Sequence, residues 1–350
     1  MRWDHRKKIL CLFTGVIFLL LSTGWAIGQG PASKVAFPKL LTIGTHPVGT
    51  NVNAIATGMA TVLNKHLPTV VKIMPTTGPV EWLPMVTTGE VDMGVLTLWD
   101  SKMGRLGRAD YKDATAGKGA PIYLLCPGTS NLTSPIVSES SGIRKGADFK
   151  GKRCIITFTG SGGVTAQASG GLANYGLKTS DIKPMSATSI DAAIRLVGEG
   201  RADGALTAAV GMPVVTEVNI EKGIRFISLD PSAEAVKRMH EFMPVPLVQV
   251  TPGPNRVGVR EPIHMMSLSF YFVGSEKLSD DVAYAIIKAI WEYNEELFPI
   301  HPRLKDWTKD KFVDPRAWIP YHPGAIKFYK EIGAWGAEMD NVQKKLLGEK

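Results

Sequence analysis

Two short stretches, Gly89-Glu90-Val91-Asp92 and Gly200-Arg201-Ala202-Asp203, share one pattern: glycine, any residue, valine or alanine, aspartate. Each joins a helix-like run to an apolar, strand-like run. Each also lies downstream of a Thr/Gly loop that opens a helix, Thr76-Thr77-Gly78 in the first case and Thr159-Gly160-Ser161-Gly162-Gly163 in the second. A glycine that ends a helix is common, because it supplies the left-handed conformation at the exit. The recurrence of the whole arrangement is more constraining. It implies one α/β topology used twice: two lobes of mostly parallel strands flanked by helices.

The stretch 41–67, LTIGTHPVGTNVNAIATGMATVLNKHL, opens the first of these lobes. Val52, Ile55, Met59, Val62 and Leu63 fall on one helical face. Thr50 or Asn51 is placed to cap the helix. Its free amides and positive helix end would form a seat for an anion above the strand. Beyond it, 70–74 reads as a strand. Pro79 suits a first helical turn, and Trp82, Leu83 and Val86 share a face of the short helix that follows. Residues 93–98 read as a strand, 105–119 as a surface loop and 121–126 as a strand. The second half repeats this order with a strand at 153–158, a small-residue helix at 164–175, a helix at 191–199 and a strand at 204–207. Extended runs at 132–138 and 264–273 would cross between the lobes as hinges. A long helix is expected at 280–298, capped by Ser279, and another after Pro323-Gly324.

Charge and composition narrow the function classes. The chain is 44% hydrophobic and 21% charged, ordinary for a globular protein, with a formal charge of +8. Part of that charge sits at the start, where Arg2, Arg6, Lys7 and Lys8 precede an apolar run at 9–21 and small residues to Gly28. These are the marks of a cleaved secretory signal peptide over residues 1–28. Its removal takes away four basic residues and Asp4 and leaves +5. The remaining basic residues are scattered, with no aromatic-basic stripe, which argues against nucleic acid. Cys126 and Cys154 remain after export. They would either bridge or stay buried and free in their apolar strands.

Tests for chemistry remove several readings. Gly44-Thr45-His46-Pro47-Val48-Gly49 has the frame of a P-loop, but Thr50 and Asn51 stand where lysine and Ser/Thr are needed. Gly160-Ser161-Gly162-Gly163-Val164-Thr165 begins like a dinucleotide fingerprint but has Thr165 for its last glycine. Ser161 lacks the first glycine of a nucleophile elbow, where Thr159 stands. The histidines at 46, 66, 240, 264, 301 and 322 show no metal-ligand spacing. No catalytic residue, metal or cofactor is therefore expected. What remains is a set of small polar and glycine residues at strand mouths, where open α/β sheets bind ligands. Thr45, Gly49, Thr50, Asn51, Thr76, Thr77, Gly78 and Pro79 come from one lobe. Thr159, Ser161, Gly162, Gly163 and Thr207 come from the other. Together they could hold a carboxylate by charge-assisted bonds as the lobes close.

The sequence resembles the TAXI-type solute receptors of tripartite ATP-independent periplasmic (TRAP) transporters over about residues 40–336. The carriers of the resemblance are LTIGTHPVGTNVNAIA, TTGPVE with GEVDMGVL, DFKGKRCIITFTGSGG, GRADGAL and, most specific, IPYHPGAIKFYKEIG. The resemblance implies a two-lobed type II periplasmic binding fold. Lobe I would span 38–135 and 270–350, lobe II 136–269, with the cleft between them. It also implies a monomeric receptor that delivers a small organic acid, such as glutamate or another dicarboxylate, to an ion-gradient-driven membrane permease. Its ligand loops fall on 45–51, 76–79, 159–163 and about 207–211. One departure stands out: Trp82 occupies a position where the family usually has asparagine. Trp82 and Trp99 would either line the cleft for a bulkier acid or pack in the core. The alternatives to transport are a sensory binding protein for a membrane receptor and an enzyme on the same scaffold.

Overall fold

The computed structural model describes residues 35–348, so the expected signal peptide lies outside the described residues. The first half of the chain runs β1 (Leu40–Thr45), α1 (Asn51–His66), β2 (Val70–Pro75), α2 (Pro79–Thr88), β3 (Met93–Thr97), α3 (Leu98–Leu106), α4 (Tyr111–Ala114) and β4 (Ile122–Ser138). There follow β5 (Arg153–Phe158), α5 (Gly162–Asn174), β6 (Lys183–Ala187), α6 (Ile190–Gly198), β7 (Gly204–Ala209), α7 (Pro213–Lys222), β8 (Ile224–Phe226), α8 (Ala233–His240) and β9 (Leu247–Val250). The chain then returns through β10 (Ile263–Ser275) to α9 (Asp280–Glu292), α10 (Pro323–Glu331) and α11 (Ala337–Gly348).

Two parallel triplets form the lobes. β1 lies between β2 and β3, and β5 lies between β6 and β7. The long strands β4 and β10 run antiparallel to each other between the triplets, giving the order β2-β1-β3-β10-β4-β7-β5-β6. β10 pairs with β3 and β4 with β7, so these two strands tie the lobes together. The fold is the expected mixed α/β architecture with two crossing strands. One detail differs: 121–126 and 132–138 are parts of the single strand β4. Pro127 and Pro135 obscure its continuity in the sequence, since proline cannot donate to a ladder. The register shift of β4 against β7 falls at Ser134/Ile136, around Pro135.

The repeated G-x-[VA]-D pattern has a structural counterpart. Gly89 and Gly200 adopt φ of 88° and 72° at their helix exits. Asp92 then accepts the Thr42 amide at 2.8 Å, and its own amide donates to the Thr42 carbonyl at 3.0 Å. Asp203 does the same with Arg153, at 2.8 Å in both directions. In each lobe the aspartate pins the turn before the third strand to the start of the first. The environments differ. Asp203 also pairs with the Arg153 guanidinium at 2.7 Å, which lowers its pKa. For Asp92 burial outweighs the Thr42 hydrogen bond and raises its pKa.

Packing follows the predicted faces. α1 buries Val52, Ile55, Met59, Val62 and Leu63, and α6 buries Ile190, Ala193, Ile194 and Val197 at i, i+3, i+4, i+7. Trp82 is fully buried against the sheet. A Cβ at Gly44 or Gly94 would lie 2.6 or 2.2 Å from its ring, so both strands need glycine there. Two expectations are corrected. Residues 105–119 are not simply a surface loop, because α3 extends to Leu106 and α4 carries the fully buried Tyr111. The helix from Asp280 ends at Glu292 and gives way to a 3-10 turn at Asn294–Leu297, where the Asn294 amide donates to the Trp307 carbonyl at 2.9 Å. Cys126 and Cys154 are free and buried. They lie on β4 and β5 with β7 between, and strands two places apart are about 9.5 Å distant, beyond the ~7 Å limit for a bridge.

Candidate functional site

The mouths of β1, β2, β3, β5 and β7 converge where the two lobes meet. Thr50 caps α1: its hydroxyl accepts the Asn53 amide at 3.2 Å and donates to the Pro47 carbonyl at 2.8 Å. Gly49 reaches φ 93° just before it. Thr76 ties the second loop to the first, donating its hydroxyl to the Thr45 carbonyl at 3.1 Å and accepting the Gly78 amide at 3.2 Å. Ser161 caps α5 by accepting the Val164 amide at 3.2 Å.

The lobes touch largely through backbone. The Asn51 side-chain amide donates to the Val210 carbonyl at 3.0 Å. The Val214 amide donates to the Gly49 carbonyl, and the Val80 amide to the Gly160 carbonyl, each at 3.2 Å. Gly78 and Gly160 meet so closely that a Cβ at Gly78 would lie 2.1 Å from the Gly160 oxygen. This is a closed arrangement.

Asp100 occupies the start of α5. Its carboxylate accepts from Thr97 Oγ1 at 2.7 Å, Tyr111 Oη at 2.5 Å, Ser161 Oγ at 3.1 Å and the Gly163 amide at 2.8 Å. The first two donors belong to its own lobe and the others to the opposite one. Asp110 also faces this end, since a Cβ at Gly162 would lie 2.8 Å from its Oδ2. Burial, and then the charge of Asp100, pushes the Asp110 pKa up.

Beside this cluster is a cavity of ≈ 30 Å³ lined by His46, Thr50, Asn51, Asn131 and Gln167, with Val164 and Met212 among its apolar walls. Three lining residues carry buried polar atoms with no protein partner: His46 Nε2, Asn51 Oδ1 and Asn131 Oδ1. Thr45 Oγ1, next to His46 in the chain at the end of β1, and Thr133 Oγ1, two residues from Asn131 on β4, are also unpartnered. Native proteins satisfy most buried polar groups, and these atoms find no partner within the protein. Burial pushes the His46 pKa down against the opposing pull of Asp100 and Asp191, and the imidazole is neutral near pH 7.

The residues singled out from sequence separate into three sets. Thr50, Asn51, Ser161, Gly162, Gly163, Gly49 and Gly78 lie at the junction, with Pro79 opening α2 beside them. Thr45 and Thr76 are buried just behind it, and Thr207 donates to Gln167 Oε1 at 3.4 Å. Thr77 and Thr159 are exposed, and Thr77 bonds to Glu81 at 2.9 Å. The tryptophans part company: Trp82 belongs to the core, not the cleft, whereas half-buried Trp99 faces Gly162, where a Cβ would lie 3.2 Å from its ring. Sequence reasoning missed His46, Asp100, Asn131 and Gln167. Gln167 had a signal, as the one long polar side chain on the buried face of a helix of small residues.

A larger chamber of ≈ 620 Å³ flanks the junction and shares the loop between β7 and α7 with it. Its wall carries Arg256, Arg303 and Lys305 against Asp306. Arg303 donates to the Ser130 carbonyl and to Thr129 Oγ1, and its Nε is buried without a partner. Among the described residues there is no cluster of His, Cys, Asp or Glu that could hold a metal, and no helix is long and apolar enough to cross a membrane.

Several solved structures share this fold. PhnD1 from Prochlorococcus marinus (MIT 9301), in complex with methylphosphonate, matches at 12% identity and a TM-score of 0.52, covering 85% of this chain and 100% of that one. The ligand-binding component of an ABC-type import system from Staphylococcus aureus, with zinc bound, matches at 12% identity and a TM-score of 0.50, covering 88% and 99%. A structure from Bordetella bronchiseptica RB50 matches at 15% identity and a TM-score of 0.51, covering 88% and 98%. At these identities the likeness is one of fold, the two-lobed architecture expected from sequence. The profile of the NMT1-like family matches residues 43–333, more than four-fifths of the sequence, and the chain belongs to that family.

Proposed function

We propose that this protein is a periplasmic solute-binding receptor that captures a small carboxylate between its lobes and hands it to a membrane permease. The observation that carries this reading is the ring of orphaned polar atoms around a cavity at the closed junction: His46 Nε2, which as the Nε2–H tautomer donates to the acid group, and the Asn51 and Asn131 oxygens, which accept from an O–H or N–H elsewhere on the ligand. A water needs ~10–15 Å³ by the same measure, so ≈ 30 Å³ is too small for an organic acid. The ligand therefore enters with the lobes parted, and on reclosing the cavity side chains shift to make room for it while the contacts of the junction re-form. In this reading the lobes divide at 38–135 with 270–350 and at 136–269, with β4 and β10 as the hinge.

Two features support an anionic ligand. The first turn of α1 opens on the cavity at Asn51 and Val52, and free amides at a helix start favour negative charge. The basic flank at Arg256, Arg303 and Lys305 would steer an acid inward. The polar groups at the cavity are amides, hydroxyls and a neutral imidazole, which suit holding rather than turnover. Export by residues 1–28, action as a monomer and delivery to a TRAP permease complete the proposal.

A thermal-shift screen of organic acids tests it. An acid at 100 times its Kd should stabilise the protein by about 2.7 kcal/mol. Shifts produced only by neutral or cationic solutes would overturn the carboxylate assignment. Uptake of the acid by cells carrying this receptor with a TRAP permease, against cells carrying an ABC permease, identifies the membrane partner.

A further inference from the structure

We propose that Asp100 is a specificity-determining residue that fills the second anion seat from within the chain, so that the ligand is a monocarboxylate with an uncharged far end. The inference rests on the receptor reading above and deepens it. A cleft built from two helix starts has two places for negative charge, one at α1 and one at α5. At α5 the place is taken. The Asp100 carboxylate is fully buried and accepts the Gly163 amide and the Ser161 hydroxyl, the groups that would otherwise receive a ligand's acid.

The fit is built in. A Cβ at Gly163 would lie 2.5 Å from Asp100 Oδ2, so the absence of a side chain there is what admits the carboxylate. Thr97 and Tyr111 hold the same carboxylate from its own lobe. Asp110 adds a second acidic group facing Gly162. A second ligand carboxylate directed to this end would meet two of the protein's own and no unspent donor from Ser161 or Gly163.

The α1 end is different. Among residues at the cavity, His46, Asn51 and Asn131 keep unpartnered polar atoms and are only 3%, 2% and 6% exposed. Here the first-turn amides of α1 and, as its Nε2–H tautomer, His46 can donate to a single acid group, while the Asn51 and Asn131 oxygens accept from an O–H or N–H on a neutral polar tail.

The test is calorimetric titration of the mature protein at pH 7.5 with linear monocarboxylates of two to eight carbons and their α,ω-dicarboxylate counterparts. The wild type should bind a monocarboxylate at least tenfold more tightly than the matched dicarboxylate. Asp100→Gly, which vacates the seat, should reverse that preference. Asp100→Asn, isosteric and able to keep most of the hydrogen bonds, should shrink it at least threefold, and it serves where the glycine variant does not fold. A wild type that prefers the dicarboxylate, or a preference that neither variant changes, overturns the proposal. If the wild type binds no acid in the series but does bind an uncharged solute, the carboxylate reading itself fails and this proposal falls with it.

Discussion

The side-chain amide of Asn51 donates to the backbone carbonyl of Val210 at 3.0 Å, joining the first turn of α1 to the loop that leaves β7. The two residues are 159 positions apart and belong to different strand triplets, so parting the triplets would break their bond. Asn51→Ala removes the bond and leaves a buried carbonyl unpaired in the closed form, a cost of about 1–3 kcal/mol. Since every ~1.4 kcal/mol is tenfold in Kd, ligand affinity should fall by about one to two orders of magnitude. The melting temperature of the ligand-free protein should change far less than its affinity. Equal affinity in titration calorimetry would show that the bond does not govern closure.

Gly78 and Gly160 approach each other closely where the Val80 amide donates to the Gly160 carbonyl. A methyl group at Gly78 would meet the Gly160 carbonyl, its oxygen at 2.1 Å and its carbon at 2.7 Å, and Gly78 sits at φ 157°. Gly78→Ala should therefore wedge the lobes apart. Solution scattering should show a larger radius of gyration that ligand no longer reduces, while circular dichroism stays native.

The tryptophans should report separately. Trp99 faces the start of α5 across the junction, so Trp99→Phe should abolish most of any ligand-induced change in fluorescence. Trp82→Phe should leave that change in place. Trp82→Ala, which empties a fully buried site, should destabilise the fold by about 3–5 kcal/mol. A ligand response lost with Trp82→Phe and kept with Trp99→Phe would reverse these assignments.

Two histidines act as helix caps that work only when neutral. His322 Nδ1 accepts the Gly324 amide at 3.1 Å and opens α10, and His301 Nδ1 accepts the Arg303 amide at 3.2 Å. Burial lowers the pKa of both, and of His46. The unfolded chain binds protons near the ordinary value of about 6.5, so it binds more protons than the native state just below that pH. The stability these histidines contribute is complete above 6.5 and is lost as pH falls toward their lowered native values. The melting temperature should fall between pH 7 and pH 5. His322→Asn, which keeps a capping oxygen, should flatten that slope, and an unaltered slope would remove His322 from the account.

Local pattern made some parts of this molecule readable and left others hidden. The buried face of α1, the caps at Thr50 and Ser279, and the paired Gly-to-Asp turns follow from periodicity and backbone conformation. The role of Asp100 does not, because Ser161 and Gly163 lie more than 60 residues away and reach it only in the folded chain. Tyr111 was hidden for a related reason: one buried aromatic in a polar, glycine-rich stretch carries no periodicity. His46 looked like an isolated histidine. Only the fold shows that its free nitrogen shares a cavity with Asn51 and Asn131.

The two buried cysteines have a consequence for observing this protein at work. Cys126 lies on β4 and Cys154 on β5, and burial raises the pKa of both, that of Cys154 to about 12. Closed over in this way, neither thiol is a nucleophile at neutral pH, so the chain can reside among oxidants without cross-linking. Each becomes reactive only when the strand around it comes apart. The molecule thus carries two silent timers, one on a crossing strand and one at the centre of the second lobe. Their rates of capture by a thiol reagent would separate the opening of β4 from the opening of β5.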